Sequence, residues 1–233
     1  MMYARSLAVL VLVATTAACP DDPPDGTGGS GGDGPNPCTV GFLGDDTLAP
    51  ELEVFFYGAD ELDHPIADDA VLDMIEPPQG GRVIYVGARA KNVDGCGVLL
   101  TGTLRDPTTN QIRFDTRTAN LLDEGDGWGS VQPGVLAAYS NIPACQNSWS
   151  EQTLYEDPYR LEVKLQDAGG RVAEASFDVR AQCTELSQAR PSGPDVFDEC
   201  TCICRAGYQL GDTCEGGGGQ GGAGGQGGAG GGG

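Results

Sequence analysis

The chain has 233 residues, a formal net charge of −21 and 6% aromatic residues. A charge this negative disfavours binding to nucleic acid and to anionic lipid, because both carry charge of the same sign. The length accommodates about one domain and a small appendix between two low-complexity ends.

The N-terminal stretch has the layout of a secretory signal. A basic start with Arg5 leads into the apolar run Leu7–Ala14, and small residues follow it. The run is shorter than the roughly 20 residues that a membrane-spanning helix needs. We therefore predict that residues 1–18 are a signal peptide that is removed from an exported protein.

The residues Thr16-Ala17-Ala18-Cys19 resemble the lipobox of bacterial lipoproteins, with Thr16 where that family usually has leucine. The resemblance implies that Cys19 carries a lipid and anchors the protein to a membrane of the cell envelope, the outer membrane or the cell surface being favoured. Lipidation also accounts for an odd cysteine, since it leaves eight of the nine to pair. Residues 19–37 then form a flexible Pro/Gly/Asp linker that follows the lipid-attachment site. Simple secretion after cleavage at Ala18 is the alternative.

Alternation of apolar and polar residues dominates residues 38–183 and predicts β-strands. Turn-forming residues at Asp106–Asn110 and Asp167–Gly170 predict two hairpins. Two further segments, Ala67–Ile75 and Ser150–Tyr155, are predicted to form a short helix or turn. The predicted strands are Leu52–Phe56, Val83–Ala90, Val98–Arg105, Gln111–Arg117, Tyr159–Leu165 and Arg171–Ala181.

Short strands separated by Gly- and Pro-containing turns predict an all-β domain over residues 38–183, a single antiparallel β-sandwich of about seven strands. The alternation is clearest in Tyr159–Leu165, where the apolar residues share one face and Arg160, Glu162 and Lys164 share the other. The closing hairpin, Tyr-x-Leu-x-Val-x-Leu-x-Asp-x-x-Gly-Arg, resembles the last two strands of bacterial immunoglobulin-like modules. That resemblance implies an immunoglobulin-like sandwich.

The remaining cysteines are disulfide candidates, because disulfides are the default in an exported protein. We expect a Cys96–Cys145 bridge inside the sandwich, whereas the spacing leaves the partners of Cys38 and Cys183 open. The candidates are Cys38, Cys96, Cys145, Cys183, Cys200, Cys202, Cys204 and Cys214.

Residues 184–215 are predicted to form a small disulfide-rich appendix, and residues 216–233 a disordered Gly-rich tail. The segment Cys202–Cys214 fits Cys-x-Cys-x-x-Gly-Tyr-x(5)-Cys and resembles the C-terminal half of an epidermal-growth-factor-like module. By that resemblance Cys204 pairs with Cys214, and Cys202 pairs with an earlier cysteine. A soft-metal site made of Cys200, Cys202 and Cys204 is the alternative, but oxidation competes for these thiols, and we predict no metal there.

Candidate catalytic residues do not form a recognisable constellation. The single histidine, His64, lies beside Pro65 in an acidic loop and outside a His-Glu-x-x-His context. Ser130 does not fit Gly-x-Ser-x-Gly. The sequence therefore predicts a protein that is not an enzyme and has no cofactor.

Two groups of loop residues are candidates for binding. Trp128 and Trp149 lie in polar loop context, where an indole can stack on a sugar ring or a protein partner. Carboxylates in loops are typical calcium ligands, and the weak calcium candidates are Asp60, Asp63, Asp123 and Asp126.

These features together predict a lipid-anchored protein of the cell envelope or surface whose immunoglobulin-like domain binds a partner through its loops. The predicted partner is a protein or a carbohydrate, and not a nucleic acid. Two alternatives remain open: an envelope hydrolase that uses acidic residues, and a passive structural spacer.

Overall fold

The computed structural model describes residues 38–155, 157–184 and 196–214, with the side chains of Val196 and Phe197 left out. The predicted signal peptide, Cys19, the linker and the Gly-rich tail lie outside the described residues. The described chain is all-β in class, with thirteen strands, one short 3₁₀ turn and one α-helix. No helix in these ranges has the length and apolar character that a membrane crossing requires.

The strands differ in length from two to twelve residues. A 3₁₀ turn, Leu136–Ala138, lies between β10 and β11, and the helix α1, Val196–Ile203, follows the last strand. The strands are β1 Phe42–Leu43, β2 Glu51–Tyr57, β3 Asp63–Pro65, β4 Ala70–Met74, β5 Arg82–Lys91, β6 Val93–Asp94, β7 Val98–Arg105, β8 Ile112–Ala119, β9 Leu122–Gly125, β10 Trp128–Ser130, β11 Ser140–Cys145, β12 Pro158–Gln166 and β13 Val172–Cys183.

The strands form two larger sheets and one small one. The five-stranded sheet has the order β4-β13-β12-β7-β8, and the six-stranded sheet has the order β3-β2-β5-β10-β9 with β11 also paired to β5. Strands β1 and β6 form the small sheet. Within the described residues all strand pairs are antiparallel except β4 with β13, which is parallel.

The longer predicted strands and both predicted hairpins are confirmed. Strands β7 and β8 pair across the turn that begins at Asp106, and β12 and β13 pair across the turn that begins at Asp167. Each aspartate accepts backbone hydrogen bonds from its own turn, which closes the chain reversal.

Three details of the predicted fold are wrong. Residues Ala67–Ile75 contain the strand β4 and not a helix, because the backbone of Ala70–Met74 pairs with β13. That parallel pair means that the fold is not purely antiparallel. The described chain also has more strands than the predicted seven, since several have only two to four residues and carry no alternation.

One hydrophobic core contains side chains from both larger sheets. In β12 the residues Leu161, Val163 and Leu165 are buried, and their neighbours point away from the core. Strand β5 is buried along almost its whole length, because the ring of Phe55 lies over Gly87 on its second face. The chain around Tyr139 also packs there, with its ring 5.9 Å from that of Phe55.

Four disulfides pair the eight described cysteines, and they correct the predicted pairings. Cys96 bonds to Cys38 and not to Cys145, which bonds to Cys204. The epidermal-growth-factor-like pairing is also wrong, because Cys202 bonds to Cys214. The remaining bridge joins Cys183 at the end of β13 to Cys200 in α1.

The helix α1 explains this pattern. Cys200 and Cys204 lie one helical turn apart and are both buried, so they face the sheets, whereas Cys202 lies on another side of the helix and is partly exposed. The loop after β11 is attached to the same segment: the buried Asn147 donates from its backbone to the Ile203 carbonyl (2.8 Å) and from its side chain to the Arg205 carbonyl (3.1 Å). The appendix is therefore docked on the β-domain by two disulfides and a set of buried hydrogen bonds.

Candidate functional site

A concavity lies on the face of the five-stranded sheet that points away from the core. It crosses β7, β12 and β13, and has a volume of about 480 Å³. We call it the β12 groove. Its lining consists of Thr101, Thr103, Arg160, Glu162, Val163, Lys164, Glu174, Ala175 and Ser176.

Ion pairs across neighbouring strands hold the charged side chains of the β12 groove. Arg105 donates two hydrogen bonds to Glu162, from Nε to Oε1 (2.9 Å) and from Nη2 to Oε2 (2.8 Å). Arg160 donates from Nη1 to Oδ1 of Asp178 (3.0 Å). The bidentate geometry fixes the orientation of both partners more firmly than a single contact would.

Hydroxyl groups continue the polar surface between the charges. Thr101 and Thr116 face each other on β7 and β8, with their Oγ1 atoms 2.9 Å apart. Ser176 accepts a hydrogen bond from the Arg160 guanidinium (2.5 Å). The groove therefore presents hydrogen-bond donors and acceptors at short intervals along β12.

An exposed aromatic ring borders this polar surface. Phe114 on the edge strand β8 lies directly opposite Thr103 in the register, so the two share a face of the sheet. Its residue is 58% exposed. A phenyl ring beside a row of hydroxyl and guanidinium groups offers a flat surface on which the apolar face of a sugar ring can stack.

The β12 groove is electrically balanced, although the chain is strongly acidic. Arg105, Arg160 and Lys164 face Glu162, Asp178 and Glu174, with Lys164 Nζ 3.9 Å from Glu174. The hydrogen bonds from Arg105 lower the pKa of Glu162 and outweigh its partial burial, which acts in the opposite direction. The formal charges of these three basic and three acidic side chains cancel.

The two tryptophans predicted to bind a partner occupy different environments. Trp149 is buried, donates from Nε1 to the Ala144 carbonyl (2.9 Å) and packs its ring 5.7 Å from that of Tyr159. Trp128 in β10 is half-buried, and the Arg89 guanidinium lies 4.9 Å above its ring. Trp149 is thus part of the core, and neither tryptophan lines the β12 groove.

Three of the four weak calcium candidates accept hydrogen bonds from other groups in this structure. Asp60 accepts from His64 Nε2 (2.9 Å), and Asp63 accepts from the Tyr139 hydroxyl (2.9 Å). Asp123 accepts from the backbone of Gly125 (2.8 Å), and Asp126 lies in the β9–β10 turn with φ of 52°. Calcium binding at either pair stays a prediction.

Burial raises the pKa of Asp63, and the hydrogen bond from Tyr139 partly opposes this. The pKa of Tyr139 is in turn strongly raised by its burial and by the adjacent carboxylate. The loop histidine shares this region, since its ring stacks on Phe56 at 5.2 Å. Ser130, the other residue considered for catalysis, is buried in β10.

One group of potential soft-metal ligands stands out in the described chain, and it differs from the predicted trio. It consists of Cys183, Cys200 and Cys204, whose sulfur atoms lie within 4.8 Å of one another. Cys202 belongs to a separate disulfide with Cys214. All these sulfurs are in disulfides in this structure.

One feature of the sequence indicated the β12 groove, but the prediction that a partner binds through the loops did not use it. The alternation of Arg160, Glu162 and Lys164 places three charges of alternating sign on one face of a strand. Their partners come from β7 and β13, and these become visible only when the register of three strands is known.

Comparison with known proteins returned no relatives: no family model matches the chain, and neither a curated protein nor a solved structure is detectably similar to it.

Proposed function

We propose that this chain is a non-catalytic, lipid-anchored binding protein of a bacterial cell envelope, and that its β12 groove binds a neutral carbohydrate polymer. The anchor is Cys19, and the Pro/Gly/Asp linker separates the domain from the membrane. We also propose that the two larger sheets pack as an immunoglobulin-like sandwich, which is supported by the core that they share.

The balanced charge of the β12 groove is the observation that favours a neutral ligand. Arg160 and Lys164 line the groove and Arg105 pairs with its Glu162, in a chain whose formal net charge is −21, and each of these three cations faces a carboxylate. A polyanion would meet the surrounding negative field, and a polycation would find its acidic partners already paired. A neutral polymer with many hydroxyl groups can instead hydrogen-bond to guanidinium, carboxylate and threonine groups without a net charge of its own.

The exposed ring of Phe114 supports the same class of ligand. Sugar rings have apolar faces and polar edges, and the groove places an apolar ring beside polar side chains. A lipid anchor would add local concentration, so that even weak binding to a polymer in the envelope would be effective.

Replacing Phe114 by alanine is expected to weaken binding of a neutral polysaccharide about tenfold, because the ring on which a sugar can stack is removed while the polar side chains of the groove remain. The measurement is affinity electrophoresis of the soluble chain from residue 20 through gels that contain dextran, a soluble β-glucan or a mannan, with alginate as the anionic comparison. The unsubstituted protein should be retarded by at least one neutral polymer and not by alginate.

Phe42→Ala is the matched control, because Phe42 is also an exposed phenylalanine (41%) but lies on the small sheet in β1. It should leave the retardation unchanged. Migration that no neutral polymer alters would contradict the binding function and favour the spacer alternative. Equal loss in Phe42→Ala and Phe114→Ala would show that the site is not the β12 groove.

The anchor is tested separately on the full chain expressed in a bacterium and extracted from its membranes. We expect an intact mass that begins at Cys19 and includes a covalently attached lipid, and we expect Cys19→Ser to move the protein from the membrane to the soluble exported fraction. A lipid-free mass for the unsubstituted protein would overturn the anchor without affecting the result for the groove.

A further inference from the structure

Five sulfur atoms meet where α1 docks on the two larger sheets. The disulfides Cys145–Cys204 and Cys183–Cys200 lie side by side, with the Sγ atoms of Cys200 and Cys204 3.9 Å apart. The Sδ atom of Met74 lies 3.7 Å from Cys145 Sγ and 3.9 Å from Cys204 Sγ. We call these five residues the sulfur cluster.

Backbone hydrogen bonds that do not depend on the disulfides place each member of the sulfur cluster. Met74 and Cys183 are register partners in the parallel pair β4–β13. Cys145 ends β11, where it is the register partner of Arg82. The amide of Cys204 donates to the carbonyl of Cys200 (3.0 Å), which sets these two side chains one turn apart.

Four members of the sulfur cluster are buried, and the fifth, Cys183, is partly buried at its edge. Met74 and Cys204 are fully buried, Cys200 is 1% exposed and Cys145 is 7% exposed. A tetrahedral metal site with a metal–sulfur distance of about 2.3 Å has sulfur atoms about 3.8 Å apart. The separations of 3.7, 3.9 and 3.9 Å between Met74, Cys145, Cys200 and Cys204 therefore already have the length that ligands of one metal ion show.

We propose that two-electron reduction of each of these two disulfides converts the sulfur cluster into a buried site for one Cu(I) ion. A phosphine reductant supplies the electrons and is itself oxidised to the phosphine oxide. Each S–S bond breaks, and one water molecule supplies the oxygen of the phosphine oxide and the two protons that convert the pair of sulfurs to two thiols. Cu(I) then displaces protons from the thiols that it binds, because the thiolate is the ligand form.

The chemistry of the donor set selects this ion. Thiolate and thioether sulfurs are soft ligands, and the two types together favour Cu(I) over ions that prefer nitrogen or oxygen. Met74 is the member that separates this site from a purely thiolate one. The state with intact disulfides has no thiolate in the cluster and is not expected to bind the ion.

The chain offers a matched control in its other bridges. Cys96 follows the Lys91 end of β5, whereas Cys145 is the register partner of Arg82 at the opposite end of that ten-residue strand. The double variant Cys38→Ser/Cys96→Ser therefore removes two thiols without touching the sulfur cluster. Cys183→Ser/Cys200→Ser removes two of its members, and the hydrogen bonds from Asn147 to the Ile203 and Arg205 carbonyls remain to hold the appendix after reduction.

The test uses the soluble chain from residue 20, reduced with a phosphine, desalted under anaerobic conditions and titrated with Cu(I) against a chromogenic Cu(I) chelator. We expect one Cu(I) per chain, bound by the unsubstituted protein and by Cys38→Ser/Cys96→Ser with the same affinity. Met74→Leu should weaken binding about tenfold, and Cys183→Ser/Cys200→Ser about a hundredfold or more. The non-reduced protein should not compete with the chelator.

Circular dichroism of the reduced protein shows whether the β-sheets survive the loss of the disulfides. Loss of the β-sheet spectrum on reduction that Cu(I) does not restore would overturn the proposal, because the site requires the strands to stay paired. Equal affinity of Cys183→Ser/Cys200→Ser and the unsubstituted protein would also overturn it. An unchanged affinity in Met74→Leu would show that the thioether is not a ligand, and it would overturn the assignment of the site to Cu(I).

Discussion

Replacing Arg82 by methionine is expected to lower the free energy of unfolding by about 3 kcal/mol, because a buried guanidinium that pairs with two carboxylates is lost while the carboxylates remain. The guanidinium of Arg82 is fully buried at the start of β5, and Nη1 donates to the Gly81 carbonyl (2.8 Å). The carboxylates of Glu76 and Glu199 each lie 3.7 Å from it.

We expect the loss of Arg82 to destabilise the appendix in particular, in addition to lowering the stability of the whole domain. Glu199 belongs to α1, so the charge at Arg82 links the appendix to the six-stranded sheet. The measurement is chemical denaturation with the disulfides intact, accompanied by limited proteolysis of residues 196–214. We expect the appendix of Arg82→Met to be cut faster than that of the unsubstituted protein.

Arg89→Met provides the control on the same strand. Arg89 lies 2.6 Å from Glu53, a shorter contact than either of those at Arg82, but its side chain is 41% exposed. Solvent screens such a pair, and we expect a loss below about 1 kcal/mol. If the two variants lose the same stability, burial is not what makes the Arg82 network important.

Replacing Asp106 by asparagine is expected to cost about 2–3 kcal/mol at neutral pH, because a buried carboxylate that accepts hydrogen bonds from several donors is lost. Asp106 is fully buried at the β7–β8 turn. It accepts from the Ser150 hydroxyl (2.7 Å), from Gln152 Nε2 (2.8 Å) and from the backbone amides of Thr108 (2.7 Å) and Thr109 (3.1 Å).

The lowered pKa of Asp106 makes the stability lost in Asp106→Asn depend on pH, with a larger loss at neutral than at acid pH. Burial alone would raise the pKa, but the hydrogen bonds from Ser150, from the turn amides and from Gln152 outweigh it and hold the pKa far below its usual value. A depressed folded-state pKa adds stability above the unfolded-state value of about 3.9. This contribution is lost as the pH falls below that value towards the folded-state pKa.

The experiment compares urea denaturation at pH 7 with denaturation between about pH 4 and pH 2. The unsubstituted protein should lose stability steeply over the acid interval, and Asp106→Asn should lose less, so the difference between the two narrows as the pH falls. Asp178→Asn is the control, because its side chain is 63% exposed and we expect a cost below about 1 kcal/mol. A constant difference at all pH values would contradict the ionised state of Asp106.

Local patterns were sufficient for the regular part of the fold. The alternation in Tyr159–Leu165 predicted a strand with one buried face, and β12 shows that pattern over its whole length. The turn residues at Asp106 and Asp167 predicted hairpins because an aspartate side chain caps its own turn, and such an interaction spans only a few residues. All these features depend on neighbours in sequence.

The candidate site required more than local pattern. Arg160, Glu162 and Lys164 could be assigned to one face of a strand, but their ion-pair partners lie 10 to 57 positions away on β13 and β7. Trp149 has a polar sequence context and is nevertheless buried, because the loop that carries it folds back onto Tyr159. Polarity of the flanking residues was therefore a poor guide to its exposure.

The sequence by itself determined the all-β class, the longer strands, the two hairpins and the chemical character of the ends. The tertiary structure alone decided the disulfide pairing, the strand β4, the helix α1, the β12 groove and the sulfur cluster. The physical reason is range: alternation and turn chemistry act between residues close in the chain, whereas cysteine pairing depends on which strand ends meet. Cys145 and Cys204 are 59 positions apart and bond because β11 ends where α1 docks.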